Sequence, residues 1–368
     1  MAVIAGSPLD GLMLAAGDRG RCDDDRIGGP VVRWDAAISR WRLWYYCRDA
    51  AFPSNIAPQF GTGRIATAVS DDGLHWSRVD GPLTGGAVFE PSADARAFDS
   101  THVGLGDVMR EGDWWWMVYF GGNHEVPQGM EPSYGFAGCR MRLGIARSKD
   151  GVHWQRVHAD KSGGAIVDLD DDDIYAGFPS LARIDGRWRV LYTTVDRHAS
   201  YWRSRVIASD DGEHWTPAGD LQWAHEPAAD ETGGIVTRQV LANVPGADIP
   251  WLMTYTAKDA RPQTAGRRSI CLAGSQDGVL WRRYRQEPLL TIGTPGAWDA
   301  DGVASPCLVL TQAEARLYYY GWSNTPAPGQ PQRGIGCAIA DSARMELFRR
   351  AAAIDTQPPI ASTRPART

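Results

Sequence analysis

An all-β, five-bladed propeller is the fold that this 368-residue sequence predicts, and three observations predict it. The pattern Ser-x-Asp-Gly-x-x-Trp occurs four times, opening at Ser70, Ser148, Ser209 and Ser275, at intervals of 78, 61 and 66 residues. Aromatic-rich runs occur five times, at residues 42–46, 115–119, 189–192, 251–255 and 316–320. No helical periodicity of useful length appears before the C-terminus, and 41 Gly, 23 Pro and 16 Trp suit many short strands and turns. A motif recurring at so long a period marks repeated supersecondary units, and five units of short strands mark a propeller.

Each element follows from this frame. Each turn motif trails a β-rich run: 65–69, 143–147, 206–208 and 270–273. Asp-Gly supplies the tight turn, because Gly tolerates positive φ and Asp bonds its own backbone. The Trp then opens the next strand. Ahead of the aromatic runs stand further apolar strands, such as Pro30-Val31-Val32, Pro179-Ser180-Leu181 and Pro306-Cys307-Leu308-Val309. Each unit therefore holds about four strands. The fifth turn is degenerate, Ala340-Asp341-Ser342 after Ile335–Ile339. One propeller domain over 1–350 is expected, with residues 7–13 as a strand beside the last blade and a mobile tail at 351–368. Such a clasp removes exposed sheet edges.

Composition narrows the function. A net charge of −6 gives no basic footprint for nucleic acid. No apolar run reaches membrane-span length, and the N-terminus lacks a secretory pattern. Cys22, Cys47, Cys139, Cys271, Cys307 and Cys337 are scattered without a Cys-x-x-Cys pair, which predicts free thiols in a cytoplasmic protein. They offer no metal-ligand spacing, and neither metal nor cofactor is expected. Nothing sets the oligomeric state.

Propeller geometry sorts the polar residues. The start of each first strand and the end of each second strand emerge on one face, and the Asp-Gly turns on the other. The first group holds Asp23–Arg26, Asp99–His102, Asp172–Tyr175, Asp230–Thr232 and Asp299–Asp301. The second holds Arg48-Asp49, His124-Glu125, Asp196-Arg197-His198, Lys258-Asp259 and Trp322-Ser323-Asn324. Long loops at 49–63 and 120–141 share this face, where function concentrates. Any single Asp ahead of a strand is also a turn former. Recurrence in every blade favours a ring of carboxylates around the mouth. The turn motif itself is structural, so His75, His153 and His214 belong on the surface.

The turn motif looks like the Asp-box variant of propeller glycosidases. With five blades and the run Phe98-Asp99-Ser100-Thr101-His102-Val103-Gly104, the chain resembles the arabinanase, levansucrase and invertase superfamily, which includes glycoside hydrolase family 43. The resemblance covers roughly residues 20–350. It implies one carboxylate on each of the first three blades: a base or nucleophile, an orienting group, and a Glu as general acid. Asp25 fits the first place, with Asp24 as rival, and Asp99 the second. Blade three reads Asp173-Ile174-Tyr175-Ala176-Gly177-Phe178-Pro179 and holds no Glu. The acid then falls to Glu231 in blade four, or to His102, whose imidazole titrates near neutrality. Asp24, Arg26, Asp49, His124, Asp173, Tyr175, Asp196, Arg197 and Asp301 are the expected substrate contacts. The implied function is glycoside hydrolysis of a small or oligomeric sugar. The alternatives are other chemistry on a non-sugar metabolite, or ligand binding without catalysis.

Overall fold

The computed structural model describes residues 7, 9–127, 129–131, 136–170, 172–196, 202–242, 249–264, 266–341, 345 and 348–353. Five antiparallel sheets form the propeller. Blade one is β2 (Arg26–Asp35), β3 (Arg40–Arg48), β4 (Arg64–Ser70) and β5 (Ser77–Val79). Blade two is β6 (His102–Glu111), β7 (Trp114–Gly122), β8 (Arg142–Ser148) and β9 (Gln155–Val157). Blade three is β10 (Asp173–Ile184), β11 (Arg187–Asp196), β12 (Trp202–Ser209) and β13 (Thr216–Asp220). Blade four is β15 (Ile235–Ala242), β16 (Trp251–Lys258), β17 (Arg268–Ser275) and β18 (Leu280–Arg283), extended by β14 (Gln222–Trp223) in parallel. Blade five is β19 (Gly302–Leu310), β20 (Glu314–Trp322), β21 (Arg333–Asp341) and β22 (Arg349–Arg350).

The ring closes through β1 (Leu12–Leu14), which pairs antiparallel with β21. The sequence predicts such an N-terminal clasp at residues 7–13; the strand itself is Leu12–Leu14, with a turn at 9–11. Ser342 and the tail from 354 onward lie outside the described residues. Five apolar clusters then fill the five blade interfaces, the last of them joining Val32, Leu43 and Tyr45 of blade one to Cys307, Tyr318 and Ile335 of blade five. Burial of this kind, at about 25 cal/mol per Å² of apolar surface, holds the blades together.

The four turn motifs share one hydrogen-bond pattern. In the first, the Gly73 amide donates to Ser70 Oγ, and the Leu74 and His75 amides both donate to Asp72 Oδ1 at 2.8 Å. The same bonds recur around Asp150, Asp211 and Asp277. Burial would raise the Asp72 and Asp150 carboxyls, but these donors outweigh it and hold both well below the usual range. Each turn also packs on the neighbouring blade. Trp44 Nε1 donates to the Gly151 carbonyl (2.8 Å), and the Tyr318 hydroxyl to that of Gly73 (2.7 Å), which ties blade five to blade one.

All five first strands carry a register shift at the same level, between Gly28 and Val31, Leu105 and Asp107, Gly177 and Ser180, Ile235 and Arg238, and Ala304 and Cys307. Phe178 and Ser305 take φ of 51° and 52° there. Positive φ in a non-glycine residue costs about 1–3 kcal/mol and gathers where strain serves a site. Pro30, Pro179 and Pro306 mark these bulges. The strands begin four to six residues earlier than the prolines suggest.

Candidate functional site

The carboxylates ahead of the first strands divide into two rings with different surroundings. The inner ring is Asp23, Asp99, Asp173, Glu231 and Asp299, all buried. Asp23 Oδ2 accepts from the Tyr45 hydroxyl (2.8 Å) and Arg78 Nε (2.6 Å). Asp99 Oδ2 accepts from Tyr119 (3.0 Å) and Arg156 Nε (2.8 Å). Asp299 Oδ2 accepts from Tyr319 and from Arg350 Nε, both at 2.9 Å. Glu231 Oε1 accepts from Tyr255 and from Arg283 Nη1, the latter at 3.3 Å. In blade three Asp173 accepts from Arg205 Nη1 at 2.8 Å, and Tyr192 is hydrogen-bonded to the same arginine. The tyrosine comes each time from the second strand, and the arginine from the fourth, except in blade three, where the third strand supplies it.

This fivefold repetition explains the recurrence seen in the sequence. Asp99 and Glu231 are stapled inside their own blades, with Asp99 Oδ2 and Glu231 Oε1 each engaged by a tyrosine and an arginine. That arrangement braces a sheet edge. It contrasts with the roles of orienting group and acid that the resemblance implies for them. The arginines were legible: the motif continues as Trp76-Ser77-Arg78, Trp154-Gln155-Arg156 and Trp281-Arg282-Arg283. Blade three reads Trp215-Thr216-Pro217, and Arg205 substitutes.

The outer ring lies two residues further along, at Asp25, Thr101, Tyr175, Gly233 and Asp301. The Asp25, Thr101 and Asp301 amides donate to the carbonyls of Arg48, Gly122 and Trp322, and Gly233 to that of Lys258, so the four share a register at the mouth. Two carboxylates stand here, Asp25 and Asp301, both exposed and on adjacent blades. Asp25 Oδ2 accepts from Arg26 Nε at 3.2 Å. Asp301 Oδ2 accepts from the Ser323 hydroxyl (3.2 Å) and the Asn324 amide (2.5 Å). Each keeps its second oxygen clear of protein donors among the described residues.

Two loops cover the blade-one and blade-two side of the mouth. Ile56, Ala57 and Cys139 form a small apolar core with Phe52, Phe60 and Phe136. The Ala57 amide donates to the Ala137 carbonyl at 3.0 Å, and the Phe60 ring reaches Tyr175 of blade three (5.1 Å between centroids). Beneath this cover His102 is fully buried, with Nε2 at 2.8 Å from the Gly138 carbonyl. Burial lowers its pKa to about 4, so it carries no second proton near neutrality to deliver as an acid. Asp24 braces the same region, accepting from the Gly20 and Ala50 amides at 2.8 and 2.7 Å. Asp49 is engaged by Arg64 Nη1 at 2.5 Å, and Arg26 Nη1 donates to the Pro58 carbonyl at 3.0 Å. His124 is exposed. Asp196 ends β11, paired with Asp173, and Arg197 lies outside the described residues.

The blade-five side is aromatic. The half-buried Tyr320 and Trp322 rings stack (5.4 Å, 24°), and Tyr320 meets the buried Tyr46 ring edge to face (6.1 Å). Glycine permits this platform. A Cβ on Gly28 would strike the Tyr46 and Tyr320 rings, and one on Gly302 would strike Trp322. Deeper in, the bulges aim Gly29, Gly106, Phe178, Arg238 and Ser305 at the channel. Of the residues lining this narrow part, about 40 Å³ in volume, Asp107 alone is acidic, and Arg33 Nη2 pairs with it at 2.7 Å. Arg238 was missed from sequence, because a lone arginine within a strand carries no motif. At the opposite end, on the face of the Asp-Gly turns, a wider cavity of about 440 Å³ is lined by Trp34, Trp41, Arg183 and Leu310.

No family model matches the chain. An uncharacterized protein found in two strains of Mycobacterium tuberculosis is 23% identical over 255 residues, covering 67% of this chain and 73% of that protein. Among solved structures, five-bladed propeller glycoside hydrolases are neighbours. A thermostable family-43 glycoside hydrolase aligns with TM-score 0.62 and 13% identity over 94% of this chain and 98% of its own. A structure from glycoside hydrolase family 130, described as mannoside phosphorylases and hydrolases targeting β-1,2 mannosidic linkages in Candida mannan, aligns with TM-score 0.62 and 14% identity, covering 97% and 99%. An N-acetylgalactosamine deacetylase from F. plautii, in complex with blood group B trisaccharide, aligns with TM-score 0.61 and 17% identity, covering 93% and 98%. At these identities the likeness establishes a shared five-bladed fold.

Proposed function

We propose that this chain is a carbohydrate-active enzyme that takes a saccharide at the blade-five side of the mouth and hydrolyses a glycosidic bond there. The observation that carries the reading is the half-buried Tyr320–Trp322 stack on blade five, where the Asp301 amide bonds the Trp322 carbonyl, together with Asp25, the exposed carboxylate of the same register on adjacent blade one. Flat aromatic faces match the apolar faces of sugar rings, with polar groups at the rim fixing orientation. Glycoside cleavage needs one carboxyl to protonate the leaving oxygen and a second carboxylate on the other side of the ring. Asp25 is assigned the base or nucleophile, held in place by Arg26, and Asp301 the second carboxyl. The solved neighbours that act on or bind glycans support the choice of substrate class. Six buried, unbridged cysteines fit a reducing, cytoplasmic setting.

The test is turnover of aryl glycosides and short oligosaccharides. Asp25→Asn and Asp301→Asn should each cut turnover by about 10²–10⁴, the usual contribution of positioned acid–base groups, with fold and saccharide binding retained. A wild-type protein that binds saccharides and cleaves none would replace hydrolysis with the second reading, recognition without catalysis. The channel wall favours that alternative, since its one acidic group is already paired.

A further inference from the structure

The channel below this mouth, and its rim, hold positive charges that no carboxylate pairs with among the described residues. Arg238 is only 5% exposed and lines the channel. Its Nη2 donates to Thr193 Oγ1 (2.5 Å) and Ser204 Oγ (3.0 Å), while Nε and Nη1 are buried with no acceptor. No carboxylate pairs with it among the described residues. The Tyr175 hydroxyl, also buried, has no partner either; its ring meets Phe178 (6.3 Å), which lines the channel with Arg238, and Trp202 (6.4 Å), over which Lys258 sits. Arg268 sits over the Trp322 ring at 5.1 Å, and its strand partner Lys258 over Trp202 at 4.7 Å. Neither is given a carboxylate among the described residues. At the equivalent third-strand positions of blades one and two, Arg64 and Arg142 pair with Asp49 and Glu125. A buried guanidinium with two idle donors is costly unless an anion completes it.

We propose that Arg238, Arg268 and Tyr175 form an anion subsite at the mouth, and that the saccharide recognised there carries a phosphate, sulfate or carboxylate group. The anion would accept from Arg238 Nε and Nη1 and the Tyr175 hydroxyl, with Arg268 and Lys258 closing its outer side. The sugar ring would then extend over Trp322 and Tyr320. Arginine suits this role through its planar fork of donors. Burial brings the Arg238 pKa down to about 9 and lowers those of Arg268 and Lys258, as expected of charges awaiting a counter-charge. The substrate class rests on the saccharide reading above; the anion site does not.

Calorimetry with four probes separates the two claims: inorganic phosphate, glucose 6-phosphate, glucuronate and glucose. Saturable binding of at least one acidic sugar, tighter than glucose and weakened about 10–100-fold in Arg238→Met and in Arg268→Gln, is expected from loss of charge-assisted hydrogen bonds. Arg238→Lys should keep part of that affinity. Arg238→Met should melt no lower than wild type, because an unpaired buried charge has gone, which guards against misfolding as an explanation. Failure of both acidic sugars and phosphate to bind, or binding unchanged in both variants, overturns the anion subsite. Binding of phosphate without either acidic sugar overturns the acidic-saccharide assignment.

Discussion

Asp99→Asn separates bracing from catalysis more sharply than any other substitution. The side chain is 1% exposed and joins β7 to β9 through the Tyr119 hydroxyl at 3.0 Å and Arg156 Nε at 2.8 Å. An amide oxygen in the place of Oδ2 can still accept from both, but its –NH2 is then buried in the place of Oδ1, and Arg156 loses its counter-charge. Breaking a buried ion pair costs about 3–5 kcal/mol. Arg156 is 23% exposed, so water recovers part of that, and about 3 kcal/mol is the working figure. Unfolding entropy near 2.1 cal/mol/K per residue gives about 0.8 kcal/mol per kelvin for this chain, hence a fall in Tm of roughly 4 °C. Tyr119→Phe removes one hydrogen bond and should cost about 1 kcal/mol. The double variant should be less destabilised than the sum, because the two share a partner. Differential scanning calorimetry with turnover measured on the same samples is the assay. Loss of turnover at unchanged Tm would make Asp99 catalytic and refute the bracing account.

Three further outcomes follow from single contacts. His102 takes no proton in the folded state until about pH 4, whereas the unfolded chain binds one near 6.5. Stability should therefore fall as pH drops from about 6.5 to 4, by about 3 kcal/mol, and denaturant titrations of His102→Gln should lack that component. Gly302→Ala forces the Trp322 ring off its strand; saccharide affinity should fall by about 1 kcal/mol, roughly fivefold in Kd, with Tm little changed. Tyr318→Phe removes the bond to the Gly73 carbonyl and should cost about 1 kcal/mol in thermal unfolding without touching turnover.

The blades were legible because their signals are local. A turn with its own hydrogen bonds and a strand with its own aromatic run read the same wherever they occur. The clasp was legible because a propeller edge demands a partner. The two carboxylate rings were not separable in the sequence, since Asp23 and Asp25 differ only in which neighbours reach them. Those neighbours, Tyr45 and Arg78, stand 22 and 55 residues away from Asp23. Burial of His102 was equally hidden, because the covering segment around Gly138 is 36 residues distant. The bulges were present as Gly-Pro, Phe-Pro and Ser-Pro pairs. Proline lacks the N–H that a ladder uses, so it fits the start of a strand or a bulge inside one, and only the pairing register tells which.

A structure with an acidic saccharide bound tests the central claim most directly. The account places the sugar ring on Tyr320 and Trp322, its anionic group on Arg238 and Arg268, and its scissile oxygen between Asp25 and Asp301. A saccharide seated instead in the wider cavity at the other end of the channel, against Trp34 and Trp41, would contradict it.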